Sequence, residues 1–240
     1  MFFRGGSNST FDVNNLCFSD KSFSSLGLYL DKDYQLKLPR LQEDITPISM
    51  KGKNGSLQRL EGYNDRDLTI DFKLKDAVDF YARLDYVENY LTNNTNPILY
   101  MKGESRGYLV KRISFDLTRG FANNTLPITF LFEPFMVDLK ETIIEGNNTI
   151  TINNKGHFDS EPIITINTTN PNSIITLNGN ILNLNNKQTG TITINTFLKE
   201  IIAENEILFI TRYPILVKGD NIISVTNCNS IKIKYRQNYR

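Results

Sequence analysis

Tryptophan is absent from the chain, histidine occurs once and cysteine twice. Each scarcity removes a class of chemistry. A structural zinc site takes about four Cys and His ligands, and Cys17, Cys228 and His157 cannot supply one within a protomer. No metal and no cofactor is expected. Two buried free thiols are a simpler reading of the cysteines than a Cys17–Cys228 disulfide. Charge of one sign is also missing. Lys and Arg number 27 against 26 Asp and Glu, a formal net charge of +1. Nucleic-acid binding by counterion release needs a basic surplus, and the chain has none. No stretch approaches the roughly 20 apolar residues of a membrane span, so membrane insertion is not expected. The opening residues MFFRGGSNST lack the apolar run of about 7–15 residues that a signal peptide needs. The chain therefore reads as made in a reducing cytoplasm.

Catalytic constellations are equally thin. A Cys–His or Ser–His–Asp centre would have to use His157, within Asn154-Lys155-Gly156-His157-Phe158-Asp159. That stretch reads as an exposed turn, where a histidine is a solvated side chain. Gly5-Gly6 and Gly52-Lys53-Asn54-Gly55 do not match the phosphate-loop or dinucleotide patterns. Glu43-Asp44 and Asp65-Arg66-Asp67 place acids side by side. A glycosidase needs two carboxylates facing each other across a sugar, and adjacent acids read as solvated loop charge. No catalytic residue is assigned, and the chain is not expected to be an enzyme.

What is present is ordinary globular material: 40% hydrophobic and 22% charged residues over 240 positions, enough for two domains. Composition changes near residue 140, from mixed charged, aromatic and aliphatic residues to Asn, Ile and Thr. The boundary is placed at about 138–146, giving domains 1–140 and 141–240. In the first, Phe80, Leu84, Val87 and Leu91 repeat at spacings of four, three and four, the period of one helix face. This predicts a helix over 75–91, with Asp76 as N-cap and Pro97 beyond its end. Ile70, Phe72 and Leu74 alternate with polar neighbours, as in a half-buried strand. Ile98–Met101 and Tyr108–Leu117 read as further strands. Ile128–Val137 is an apolar run suited to burial on both faces, with Pro134 at an edge or bulge. Asn54-Gly55 signals a tight hairpin within 45–60.

The second domain reads as almost wholly β. Strand candidates fall at 148–153, 161–167, 173–178, 181–184, 191–195, 206–211, 215–218, 222–226 and 230–235, with a hairpin turn at Asn178-Gly179 and one short helix over 197–205. Many short strands with frequent turns predict a β-sandwich. β-Branched residues suit the pleated surface and Asn suits the turns. Small sandwiches bind sugars on exposed aromatic rings. Here the candidates are Phe158, Phe197, Phe209, Tyr213, Tyr235 and Tyr239, which at alternating strand positions are more often core.

Several stretches, in order, resemble the distal tail protein family of long-tailed bacteriophages. Leu26-Gly27-Leu28-Tyr29-Leu30 is similar to the family's first strand, and Met50-Lys51-Gly52-Lys53-Asn54-Gly55-Ser56-Leu57 to its Gly-x-x-Gly hairpin. Glu61–Asp67 leads into Leu68-Thr69-Ile70-Asp71-Phe72 and the helix, which ends in Tyr90-Leu91 where the family usually has Trp-Leu. Phe130-Leu131-Phe132-Glu133-Pro134-Phe135 resembles the Pro-Phe close of the first domain. Gly156–Ile166 resembles the entry to the second domain, and Tyr213–Ile223 its proline-containing late stretch. The C-terminus, Tyr235–Arg240, departs from the family's Trp-Arg ending. The resemblance implies a mainly β fold: an N-terminal β-sandwich with one amphipathic helix, closing into a homo-hexameric ring, then a galectin-like β-sandwich. It implies a virion tail-tip protein without reaction or cofactor. Such a protein joins the tail tube protein to the tail-associated hub protein and to a receptor-binding protein, and leaves a channel through which DNA passes without specific binding. Ring contacts are expected at Gly52, Asn54, Gly55, Asp65 and Arg66. The competing expectation is a host-surface carbohydrate or receptor-binding module of a tail or phage-tail-like bacteriocin.

Overall fold

The computed structural model describes residues 15–30, 41–49, 51, 54, 56–74, 80–116, 118–119, 124–210 and 212–240. The chain divides into two compact units, Met1–Met136 and Val137–Arg240. Among the described residues its regular structure is strand, apart from one α-helix and short helical turns.

The first unit contains β1 (Leu16–Phe18), β2 (Lys21–Ser22), β3 (Leu28–Tyr29), β4 (Gln42–Ser49), β5 (Ser56–Asn64), β6 (Arg66–Leu74), α1 (Phe80–Thr92), β7 (Ile98–Met101), β8 (Arg106–Phe115), β9 (Thr118–Arg119) and β10 (Asn124–Asp138). Its main sheet runs β2-β1-β7-β8-β10-β6-β3, with β9 also on β10. Alternation fixes which face of this sheet is buried. In β6, Leu68, Ile70, Phe72 and Leu74 point inward while Asp67, Thr69 and Asp71 are exposed. β10 opposes it in register, Ile128 on Ile70 and Phe130 on Leu68. Leu126, Ile128, Phe130 and Phe132 are fully buried, whereas Pro127, Thr129 and Leu131 are half-buried. The apolar run is thus buried fully on one face only. Pro134 lies past the last β6 pair, Phe132 with Arg66, where a missing N–H breaks no bond to β6.

Rings fill the centre. Phe23 stacks on Phe72 at 4.7 Å, and Phe130 meets Phe23 edge-on at 6.0 Å. α1 closes the sheet by burying Leu84, Val87 and Leu91, three of the four predicted apolar positions; Phe80 is partly buried against the same core. Tyr90 ties the helix to the sheet: its hydroxyl donates to the Phe18 carbonyl at 3.0 Å and to Asp20 Oδ1 at 2.5 Å. The predicted N-cap, Asp76, lies outside the described residues.

The second unit is a sandwich of two antiparallel sheets. Its strands are β11 (Thr142–Gly146), β12 (Thr149–Asn154), β13 (Ile163–Thr168), β14 (Ile174–Leu177), β15 (Asn180–Asn183), β16 (Gly190–Asn195), β17 (Glu200–Ala203), β18 (Gly219–Thr226), β19 (Cys228–Tyr235) and β20 (Asn238–Tyr239). One sheet runs β11-β19-β13-β16-β17, the other β12-β18-β14-β15. Inward isoleucines of both, among them Ile152, Ile164, Ile194, Ile223, Ile231 and Ile233, form one core.

Asparagine holds the connections. Asn148, Asn172, Asn178, Asn185 and Asn227 all adopt left-handed backbone, which Asn tolerates better than most residues. Asn178 and Gly179, with φ of 50° and 81°, turn β14 into β15 as a hairpin of the predicted type. Three further Asn side chains are buried and satisfied. Asn221 accepts from the Val217 N–H and from Asn178 Nδ2, and donates to the carbonyls of Val217 and Gly219. Asn154 and Asn186 bridge loops in the same way.

Three sequence expectations change here. Residues 197–205 contain β17 instead of a helix, because residues 196–199 form a tight turn that folds Glu200 back onto Asn195. Lys199 takes a left-handed conformation there. Residues 215–218 hold only a single bridge, Leu216 to Ser160. Residues 206–210 join no sheet.

Candidate assembly surface

Among the described residues no group of His, Cys, Asp and Glu is placed to hold a metal. His157 is exposed. Its Nδ1 accepts from the Arg240 N–H at 3.3 Å and its ring meets Tyr239 edge-on at 5.5 Å. Glu43 and Asp44 are successive residues of β4, so the pleat sends them to opposite faces.

The prominent feature is the β4–β5 hairpin, which forms a two-stranded sheet of its own. Every residue of β4 is exposed. Ile45 pairs with Leu60 and Ile48 with Leu57. Cross-strand partners share a face, and positions of opposite parity lie on opposite faces. Each face of the hairpin therefore carries one aliphatic pair. The four side chains are 40%, 51%, 41% and 44% exposed in the order Ile45, Leu60, Ile48, Leu57. At its base Tyr63 packs edge-on against Phe135 at 5.2 Å.

Asp65 follows this hairpin on the surface. Lys111 Nζ lies 3.0 Å from Asp65 Oδ2 and 3.4 Å from Glu133 Oε1, bridging both carboxylates. Burial works against the Lys111 ammonium, but the Asp65 hydrogen bond and the two negative charges outweigh it and hold its pKa above the ordinary lysine value. Arg66 behaves differently. It occupies the first inward position of β6 and is 4% exposed, with its guanidinium carbon 5.5 Å from the centre of the Tyr108 ring. Burial pulls its pKa down, opposed by Tyr108. Of the five residues expected at ring contacts, Asp65 and Asn54 are exposed and Arg66 is interior; Gly52 and Gly55 lie outside the described residues. The sequence reading took 45–60 as a turn signal and passed over Ile45, Ile48, Leu57 and Leu60. Two aliphatics three residues apart on each side of the turn, which a strand must send to opposite faces, were the available signal.

On the second unit, Glu145, Thr165, Asn167, Ser230 and Lys232 line an open groove on the outer face of the β11–β19–β13 sheet. Its polar groups are engaged with one another and with neighbours on the same face: Lys232 with Glu145 at 2.6 Å, Asn167 Nδ2 donating to Ser230 Oγ at 3.0 Å, and Thr191 Oγ1 donating to Asn167 Oδ1 at 3.1 Å. Its lining includes no aromatic ring. Of the six aromatic residues weighed as sugar platforms, Tyr235 and Tyr239 are buried, Phe158 and Tyr213 are half-buried, and only Phe197 and Phe209 are exposed.

No protein-family model and no curated protein sequence matches this chain. Solved structures do. The SPP1 Dit protein is described as a paradigm of the hub adsorption apparatus in phages that infect Gram-positive bacteria. It aligns with a TM-score of 0.59 at 12% identity, over 94% of this chain and 99% of its own. The fold is that of a phage distal tail protein. A chain of the phage p2 baseplate, in its activated conformation with strontium, aligns with a TM-score of 0.51 at 10% identity, over 93% and 97%. The distal tail fold thus accounts for both units, so neither is an addition to it. At this identity the likeness carries no residue roles, and the functional surface must come from this chain's own side chains.

Proposed function

We propose that the chain is a structural component of a phage tail tip, a distal tail protein acting by assembly and not by catalysis. Six copies close head to tail into a ring through the first unit. The ring joins the tail tube protein to the tail-associated hub and to the host-adsorption device, and leaves a channel for DNA. The protein is made in the host cytoplasm and ends in the virion tail.

The observation that carries this reading is the β4–β5 hairpin. A two-stranded hairpin standing alone is marginal in water, and this one carries an aliphatic pair on each face that is 40–51% exposed in the single chain. In a head-to-tail ring every subunit presents the same two patches, so a hairpin entering its neighbour buries both aliphatic pairs six times over. The near-neutral charge fits a channel that must not hold DNA.

Light scattering after size exclusion tests it on the full chain across a range of concentrations. The expected result is a discrete hexamer. A strict monomer at every concentration, alone and with the tail tube protein added, would overturn the ring.

A further inference from the structure

Residues 206–210 have the side-chain alternation of a strand but no strand partner. Glu206 points inward, its carboxylate accepting from the main-chain N–H groups of Lys187 and Gln188. Leu208 is 7% exposed and Ile210 packs partly on the same core. Between them Ile207 and Phe209 stand outward at 84% and 85% exposure, the two most exposed of the large hydrophobics described. The segment is tethered at both ends. Asn205 Nδ2 donates to the Thr189 carbonyl at 2.9 Å, and beyond the segment the Tyr213 hydroxyl donates to the Lys199 carbonyl. Two inward anchors and two tethers therefore present this pair in a fixed direction. Among the described residues no main-chain N–H or C=O of Ile207–Ile210 has a hydrogen-bond partner.

We infer that Ile207–Ile210 is a docking strand for an extended segment of another protein that carries apolar side chains at alternate positions. The free main chain decides the occupant. An apolar patch alone would accept any greasy surface, but a row of unpaired N–H and C=O groups is satisfied by a second strand running alongside. In such strand addition the main chain supplies affinity and the alternating side chains supply selectivity. Ile207 and Phe209 supply the selective contacts, while Leu208 and Ile210 keep the backbone extended by holding it to the core. This inference stands apart from the ring: loss of either leaves the other intact.

The test uses the full chain and a blocked synthetic peptide of about seven residues that alternates Thr and Val, a usual strand length. Two control peptides keep the side chains but carry N-methyl groups on the amides of one edge or of the other. Amide hydrogen exchange is read at Ile207–Ile210. Free chain should exchange quickly there, the parent peptide should slow exchange by about tenfold or more, and only one of the two methylated peptides should retain that effect. Phe209→Lys, at a solvent-exposed position, should keep the fold and lose the protection. The inference is overturned by slow exchange in the free chain, by no slowing up to the peptide's solubility limit, or by equal action of all three peptides, which would mean side-chain adhesion alone. Concentration-dependent self-association that vanishes in Phe209→Lys would name a second copy as occupant and overturn it as stated.

Discussion

Replacing Ile48 and Leu57 together by Ser should weaken the ring without unfolding the subunit. Fully burying an aliphatic side chain of this size contributes about 1.5–3 kcal/mol. These two are 41% and 44% exposed in the single chain, so a neighbour has a little under half of that left to bury on each. The pair then contributes about 2 kcal/mol per subunit contact, which is about thirtyfold in the affinity of that contact. Because a closed ring repeats the contact at every joint, the hexamer-to-monomer midpoint should rise by at least that factor. Light scattering across a dilution series reads the midpoint. Urea unfolding of the same variant supplies the control: the covered share of both side chains is lost in the monomer as well, so its stability should fall by about 2–3 kcal/mol while the subunit stays folded. Ile45→Ser with Leu60→Ser tests the opposite face and should act similarly if both faces are covered. Hexamers from both double variants with the dilution behaviour of the parent would refute the reasoning, since neither face would then be buried on assembly.

Cys17 and Cys228 are free and buried. Burial raises both thiol pKa values, so at pH 8 less thiolate is present than in a solvated cysteine. Iodoacetamide should leave the native chain unlabelled and modify both residues in urea, which mass spectrometry reads directly. Asn221→Ala removes four hydrogen bonds from a fully buried side chain; at about 1 kcal/mol each less partial relaxation, urea unfolding of the second unit should show a loss of about 3 kcal/mol. Lys111 has a raised pKa in the folded chain. A raised folded pKa gives stability that is fully present below the unfolded lysine value of about 10.4 and lost as pH rises through the folded one. Lys111→Met should therefore flatten the alkaline fall in the urea midpoint above about pH 10, by less than about 1 kcal/mol because the ammonium is partly exposed and screened. Arg66→Glu places a carboxylate at an interior position beside Tyr108 and should prevent folding of the first unit. Asp65→Lys breaks the partly exposed pair with Lys111, at a cost of less than about 1 kcal/mol, and should leave the monomer folded, so Asp65 is a cleaner test of a ring contact near β6 than Arg66.

How far the sequence could be read depended on whether a residue's role was local or relational. Strands such as 163–168 and 219–226, and helix α1, announce themselves because burial follows a period of two or 3.6 along the chain itself. The Asn178-Gly179 turn is local for the same reason: φ and ψ at two residues decide it. Arg66 is the counter-case. As a residue type it belongs on a surface, and only the parity of β6 (set by Leu68, Ile70 and Phe72) sends it inward to Tyr108. That parity was in the sequence, and carrying the alternation two residues further back would have placed Arg66 in the core. Residues 197–205 failed differently, since a helix and a turn followed by an edge strand share the same apolar and polar content over so few positions, and pairing with β16 decided between them.

The two surfaces we propose as contact sites, the hairpin and Ile207–Ile210, show the limit of such reading. One reads from its Asn54-Gly55 turn as a hairpin and the other as a strand candidate over 206–211. Structure keeps the local reading and removes the assumption that the partner lies in the same chain. A hairpin with an exposed aliphatic pair on each face and an alternating segment whose main chain finds no partner among the described residues are β sequences that leave surface for another chain to cover. Local patterning specifies the shape a segment takes, and it is silent on which molecule completes the sheet. Under the assembly role proposed above, the places where a strand pattern finds no partner among the described residues are where contacts with other subunits should be sought first.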